Sequence, residues 1–326
     1  MAAFTPLTAS EARSLARDHG LGTVTNVVSI AAGSVNSNFM IEAKHGENGV
    51  RWFLRIYEEQ GLEGARYDGD LLAHLADKGV PTPRPVPRVD GGNLSTVKGK
   101  PAAIFPFVRG VHTCQRAVDI ARCEALGTAL AQVHVTGASF PQRRAGRFTL
   151  DDVQKRFPRI ALASDPALSA MARTLEGLLA HWRTQRIDSL PEGVIHGDLF
   201  RDNVLFAEAE GARHAEIVAL LDFESASDGR LAYDLAVTIL AWCFGDALDW
   251  DLARAIVAGY ERVRRLEKDE RSGMRAELAL AALRFTTTRI TDYAMPRPGV
   301  GDRVIKDWRR FWSRYSAIES SDLALF

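Results

Sequence analysis

The stretch VIHGDLFRDNVLF, residues 194–206, sets His196, Asp198, Arg201, Asp202 and Asn203 between two apolar runs. A turn between strands needs little more than glycine, asparagine or aspartate at its tightest positions. This one carries more, in the spacing H-x-D-x-x-x-x-N. In phosphoryl transfer an aspartate accepts the proton of the attacking hydroxyl, and an asparagine at this spacing reaches a metal that bridges the nucleotide phosphates. Further along, LLDFE at 220–224 puts Asp222 at the end of an apolar run, where a second carboxylate suits magnesium. Two carboxylates repel an anionic triphosphate unless a divalent cation screens them, so the reading requires Mg2+.

Composition sets the frame. The chain has 326 residues, 46% hydrophobic and 25% charged, enough apolar material for a folded core and a length that favours two lobes. Lys plus Arg and Asp plus Glu balance at 41 each with no block of one sign, which argues against a nucleic-acid partner. Cys114, Cys123 and Cys243 lack metal or redox spacing and are expected as buried reduced thiols. The first residues show no signal-peptide pattern, and the longest apolar run, 235–244, is too short for a bilayer. A cytoplasmic protein with no membrane partner is expected.

Working outward from the motif, Thr8 and Glu11 form a capping box for a first helix. Three segments with β-branched and aromatic content, 24–32, 35–43 and 50–59, predict an antiparallel sheet. A helix over 62–76 interrupts it, the prolines at 81, 83, 85 and 87 force an extended connection, and strands near 94–97 and 102–108 complete it. After Gly110 the periodicity turns helical: 120–133, 166–186, 231–244, 249–263 and 267–292 read as helices, with short β runs at 204–206 and 217–221.

With these motifs in this order, the chain resembles the aminoglycoside phosphotransferase and choline kinase superfamily, through H196-G-D-L-F-R-D-N203, L220-L-D-F-E224 and L231-A-Y-D-L-A236. The resemblance implies an α+β, bilobal protein-kinase-like fold: an N-terminal nucleotide-binding lobe, 1–108, with a small antiparallel β-sheet, one helix and a hinge at its end, and a larger, mainly helical catalytic and substrate lobe, 109–326. It implies ATP and Mg2+ as cofactors. Asp198 becomes the catalytic base, Asn203 and Asp222 the magnesium ligands, His196 a support of the loop and Asp234 a structural anchor beneath it. Gly33, Ser34 and Ser37 stand where a phosphate-covering loop belongs, although G-x-G-x-x-G is missing. Arg55 stands where a protein kinase has its phosphate-pairing lysine; among Glu63, Asp68 and Asp70 as its acidic partner, the family register favours Asp68. Backbone groups near Phe107 and Val108 would hold adenine.

Within that superfamily the chain resembles the homoserine kinase family, through G33-S-V-N-S-N-F39, L54-R-I-Y-E58, the segment 72–81 and A282-L-R-F-T-T-T-R-I-T-D-Y293. That resemblance implies phosphorylation of the L-homoserine side-chain hydroxyl. A zwitterionic acceptor needs a cation for its carboxylate and an anion or carbonyl for its ammonium. Arg289 and Asp292 are candidates for both charges, with Arg284 and Arg201 as alternatives and Glu224 as a further substrate contact. Two other readings stay open: another phosphotransferase of this superfamily, acting on an amino alcohol, sugar or aminoglycoside, and an inactive nucleotide-binding regulator.

Overall fold

The computed structural model describes residues 5–30, 35–209, 211–295 and 306–321. Two compact units emerge: Met1–Val111 with Val218–Glu224, and His112–Ile217 with Ser225–Phe326. The sequence suggested a single cut after residue 108.

In the first unit, Thr8 caps α1 (Ala9–Asp18) through the expected capping box with Glu11. Strands β1 (Thr23–Ile30), β2 (Ser37–His45), β3 (Asn48–Ile56), β4 (Ser95–Val97) and β5 (Lys100–Pro106) form an antiparallel sheet in the order β1-β2-β3-β5-β4. The side-chain period of two sends Phe39 and Ile41, Leu54 and Ile56, and Ala102 and Ile104 to one face, where they meet Leu15 and Leu21. Full burial of each large apolar side chain contributes roughly 1.5–3 kcal/mol. A one-residue slip would turn that set outward, so the core fixes the register. Arg55 is thereby held in the sheet's middle, opposite Asn38 on β2 and Ala103 on β5. Helix α2 (Leu62–Asp77) packs against β5 and buries Ala65, Leu71, Leu72 and Leu75. The extended segment after it explains why Val218–Glu224 belongs to this unit: Leu220 N–H donates to Pro81 C=O at 2.6 Å, and Thr82 Oγ1 donates to Leu220 C=O at 3.0 Å.

The second unit is mainly helical. Its elements are α3 (Ile120–Gly137), the short α4 (Leu150–Gln154) and α5 (Phe157–Ala161), α6 (Pro166–Thr184), strands β6 (Glu192–Ile195), β7 (Val204–Phe206) and β8 (Ile217–Leu220, its last three residues in the first unit), β9 (Ser227–Arg230), then α7 (Leu231–Trp242), α8 (Trp250–Glu261), α9 (Lys268–Arg289) and α10 (Arg309–Ser320). Helix α7 is buried almost all round, as its nearly unbroken apolar sequence requires. A π-helical turn, Ile290–Ala294, closes α9. Cys123 and Cys243 are buried, whereas Cys114 is exposed, contrary to expectation. Among the described residues no helix is long and apolar enough to cross a membrane.

Helices α3 and α8 cross at glycine. A Cβ on Gly259 would lie 1.9 Å from Glu124 C=O, while Thr128 Oγ1 donates to Gly259 C=O at 3.0 Å. A methyl group there must push backbone from backbone. Gly259→Ala is expected to cost about 1–3 kcal/mol, read as a lower urea midpoint, as overpacking does in close-packed interiors. An unchanged midpoint would show that the crossing can open without strain.

Candidate active site

The loop after β6 is built from beneath. β6 pairs antiparallel with β9 (Val194 with Asp228, Ile195 with Ser227) and delivers His196 to the end of α7 that carries Asp234. Asp234 is fully buried. Its Oδ2 accepts from His196 N–H at 2.7 Å and from His134 Nε2 at 3.0 Å, and its Oδ1 accepts from Gly197 N–H at 2.7 Å. Burial opposes its charge, but the His134 hydrogen bond, attraction to His134 and His196 and the Gly197 amide together hold the carboxyl below its ordinary range. Tyr260 Oη completes the His134 ring at 2.7 Å from Nδ1.

His196 is buried, and its Nδ1 accepts from Asp198 N–H at 3.3 Å. Gly197 takes φ +75°, and a Cβ there would sit 3.0 Å from Ser225 C=O. Asn203 Nδ2 donates to Asp198 C=O at 2.8 Å, which ties the two ends of the motif. Trp242 Nε1 holds Leu199 C=O at 2.9 Å. Arg201, an alternative acceptor cation, instead donates to Ala241 C=O at 3.1 Å and to Gln115, so its guanidinium braces the loop.

In the first unit, Arg55 pairs with Asp222 at 3.1 Å and Glu224 at 2.9 Å through Nη1, while Nε reaches Asn38 at 3.4 Å. Burial opposes its charge, but these two carboxylates raise its pKa above the usual arginine value. The expected partner, Asp68, is not the one used: it is buried on α2, and the carboxylates that reach Arg55 come from the LLDFE segment. Glu224 is corrected likewise. Its carboxylate takes Arg55 and Asn36 Nδ2, which commits it within this unit rather than to an acceptor. Asp222 has φ +63°, a strained turn value for a residue other than glycine, and its side chain stays 40% exposed.

Ser37 does not reach outward as expected. It is buried at the start of β2, where its hydroxyl donates to Glu58 and accepts from Thr5 N–H. Gly33 and Ser34 lie outside the described residues. Phe107 N–H donates to Arg51 C=O at 3.2 Å, which removes that amide from the groups available to adenine and leaves Val108 as the hinge candidate.

The late-helix candidates separate. Asp292 pairs with Arg156 at 2.7 Å. Arg289 donates to Asp307 C=O and lies over Phe311; burial first, then the nearby Arg310, push its guanidinium down to about 10. Neither is poised as an acceptor contact. Arg284 is different: it is 5% exposed, its guanidinium lies 3.8 Å from the Phe285 ring centroid and 4.1 Å from that of Phe148, and its Nη1 is 4.0 Å from Asp198 Oδ1. The sequence named Arg284 only as an alternative, because Phe148 is too distant in the chain to be paired with it beforehand.

A family model described as the phosphotransferase enzyme family, APH, matches residues 26–266. The chain is 35% identical over 329 residues to a homoserine kinase of Caulobacter sp. strain K31, with 100% of this chain and 99% of that protein covered. It is 36% identical over 302 residues to a homoserine kinase of Methylocella silvestris, covering 92% and 90%. Two solved structures share the fold with a TM-score of 0.68 at 13% identity: an amicoumacin kinase in complex with AMP-PNP, Ca2+ and Ami, covering 94% of this chain and 91% of that one, and a spectinomycin phosphotransferase in complex with ADP and its antibiotic, covering 97% and 99%. With its protein-kinase-like fold, the chain belongs to the phosphotransferase enzyme family and, within it, to the homoserine kinase family.

Proposed function

We propose that this phosphotransferase moves the γ-phosphoryl group of ATP to the side-chain hydroxyl of L-homoserine, giving ADP and O-phospho-L-homoserine. The observation that carries the reading is the loop in which Asn203 binds Asp198 C=O and Asp234 gathers the amides of His196 and Gly197, in a chain whose near-full-length relatives are homoserine kinases. Asp198 is the base. It orients the hydroxyl and takes its proton as the oxygen bonds to phosphorus and the bridge to ADP breaks. Arg55 keeps its Nη2 outside the bonds to Asp222, Glu224 and Asn38, and that group is proposed to pair with phosphate oxygens.

Asn203 and Asp222 are the proposed magnesium ligands, and their chemistry fits. The Asn203 amide nitrogen is committed to Asp198, which leaves its carbonyl oxygen as the acceptor, and Asp222 stays partly exposed. Among the described residues no group of three or more His, Cys, Asp or Glu forms a cage of its own. Such a sparse set suits a cation that completes its shell with phosphates and water. Magnesium, when bound, stabilises charge on the transferred group.

Two tests follow. Turnover over a panel of L-homoserine, L-serine, L-threonine, choline, ethanolamine and an aminoglycoside should be largely confined to L-homoserine; turnover on another acceptor in its place would refute the substrate assignment. Asp222→Ala should weaken ATP binding at least about tenfold with magnesium present. Without magnesium the affinity should hold or tighten, since Arg55 loses a competing carboxylate. Equal weakening in both conditions would remove Asp222 from the metal.

A further inference from the structure

We infer that Arg284 is the carboxylate clamp of an acceptor pocket in the second unit, a specificity site for amino acids over amino alcohols. This rests on the proposed reaction and extends it to the group that selects the acceptor. A cavity of about 250 Å3 lies beside the loop, lined by Phe148, Gly197, Ser225, Ser227, Tyr233 and Arg284 among others. It is smaller than the ~300–1,000 Å3 typical of drug-sized ligands, and so suits a small amino acid better than an aminocyclitol.

The four cations of this cavity are not equivalent: Arg147 is exposed, with its guanidinium 5.6 Å from the Phe148 ring centroid. Arg186 is held by Glu277 at 2.8 and 2.9 Å, and Arg230 donates to Ile187 C=O at 2.6 Å. Arg284 is stacked between Phe148 and Phe285, its Nε is buried with no hydrogen-bond partner, and among the described residues Asp198, at 4.0 Å, is the one carboxylate within ion-pair reach. Leaving a buried guanidinium so poorly matched is costly unless a ligand completes its hydrogen bonds. Its planar fork matches a carboxylate, and the rings fix its plane. With Nη1 4.0 Å from Asp198 Oδ1, the two groups stand side by side, and a γ-hydroxy-α-amino acid folded alongside them sets its carboxylate on Arg284 and its hydroxyl on Asp198. The clamp and the proposed base therefore read the two ends of one acceptor.

The test compares L-homoserine with L-homoserinol, the same molecule with a hydroxymethyl group in place of the carboxylate, in wild-type, Arg284→Met and Arg284→Lys enzymes. In the wild type, kcat/KM for homoserinol should be lower by about 10–100-fold, the value of a charge-assisted hydrogen-bonded pair. Arg284→Met should raise the KM for homoserine by a similar factor, leave the KM for ATP near its wild-type value and abolish the discrimination; Arg284→Lys should restore part of it. Discrimination that persists in Arg284→Met overturns the clamp alone. A wild type that phosphorylates homoserinol as well as homoserine also overturns it, with no variant needed, so misfolding of Arg284→Met would not shield the inference. A wild type inactive on homoserine but active on an uncharged alcohol overturns both the clamp and the proposed reaction.

Discussion

Asp198→Asn should reduce kcat on L-homoserine by about 10²–10⁴, the usual contribution of a positioned general base, and change the KM for ATP little. The loop geometry makes this a clean substitution. What holds the turn is backbone: the Asp198 amide donates to His196 Nδ1, and its carbonyl accepts from Asn203 Nδ2 and Phe200 N–H. An amide side chain keeps the shape and disturbs none of these bonds. The variant should therefore keep its fold, lose in urea midpoint only what the 4.0 Å attraction to Arg284 contributes, and bind ADP with wild-type affinity by calorimetry, while single-turnover phosphoryl transfer slows. A kcat within about tenfold of wild type would fall below the range for a general base and return Asp198 to a positioning role.

Local chemistry was legible and distant pairing was not. The capping box at Thr8, the strands around Arg55, the helix holding Asp234 and the motif loop follow from propensity, periodicity and spacing. Strand β9 escaped, because Ser227-Asp-Gly-Arg230 has little β-propensity and forms a ladder only because β6 lies beside it. Arg55 met Asp222 and Glu224 rather than Asp68 for a similar reason: those partners are far away in the chain, and no local register encodes them. Ser37 looked like a loop residue, yet Thr5 and Glu58 had already claimed its hydroxyl. Arg289 and Asp292 were candidates for the acceptor's two charges, while Asp307 and Arg156 took them separately. In each case the partner is set by the fold rather than by local spacing. Buried polar groups must be satisfied, but sequence does not say by whom.

Asp234 tests how far the site depends on such a partner. Both of its oxygens accept from N–H donors, His196 and His134 at Oδ2 and Gly197 at Oδ1. Asparagine, which leaves the backbone bonds of the loop intact at 198, is therefore damaging to the fold here, since its amide nitrogen must face a donor whichever way it turns. Asp234→Ala strands two amides at the root of the loop and His134 on α3, and should cost about 3–5 kcal/mol, as breaking a buried charged network does; Asp234→Asn should approach that loss. Both should also lower kcat, because His196 and Gly197 set the path of the chain into Asp198. The pH dependence has a definite sign. The folded carboxyl titrates below its unfolded value of about 3.9, so its stabilisation is complete above that pH and is lost as pH falls through the folded pKa. Urea midpoints taken from pH 6 downward should therefore differ between wild type and Asp234→Ala by a constant amount until about pH 4, and converge below it. A gap that stayed constant into the acid range would mean that the packing of the side chain, rather than its charge, supports the loop.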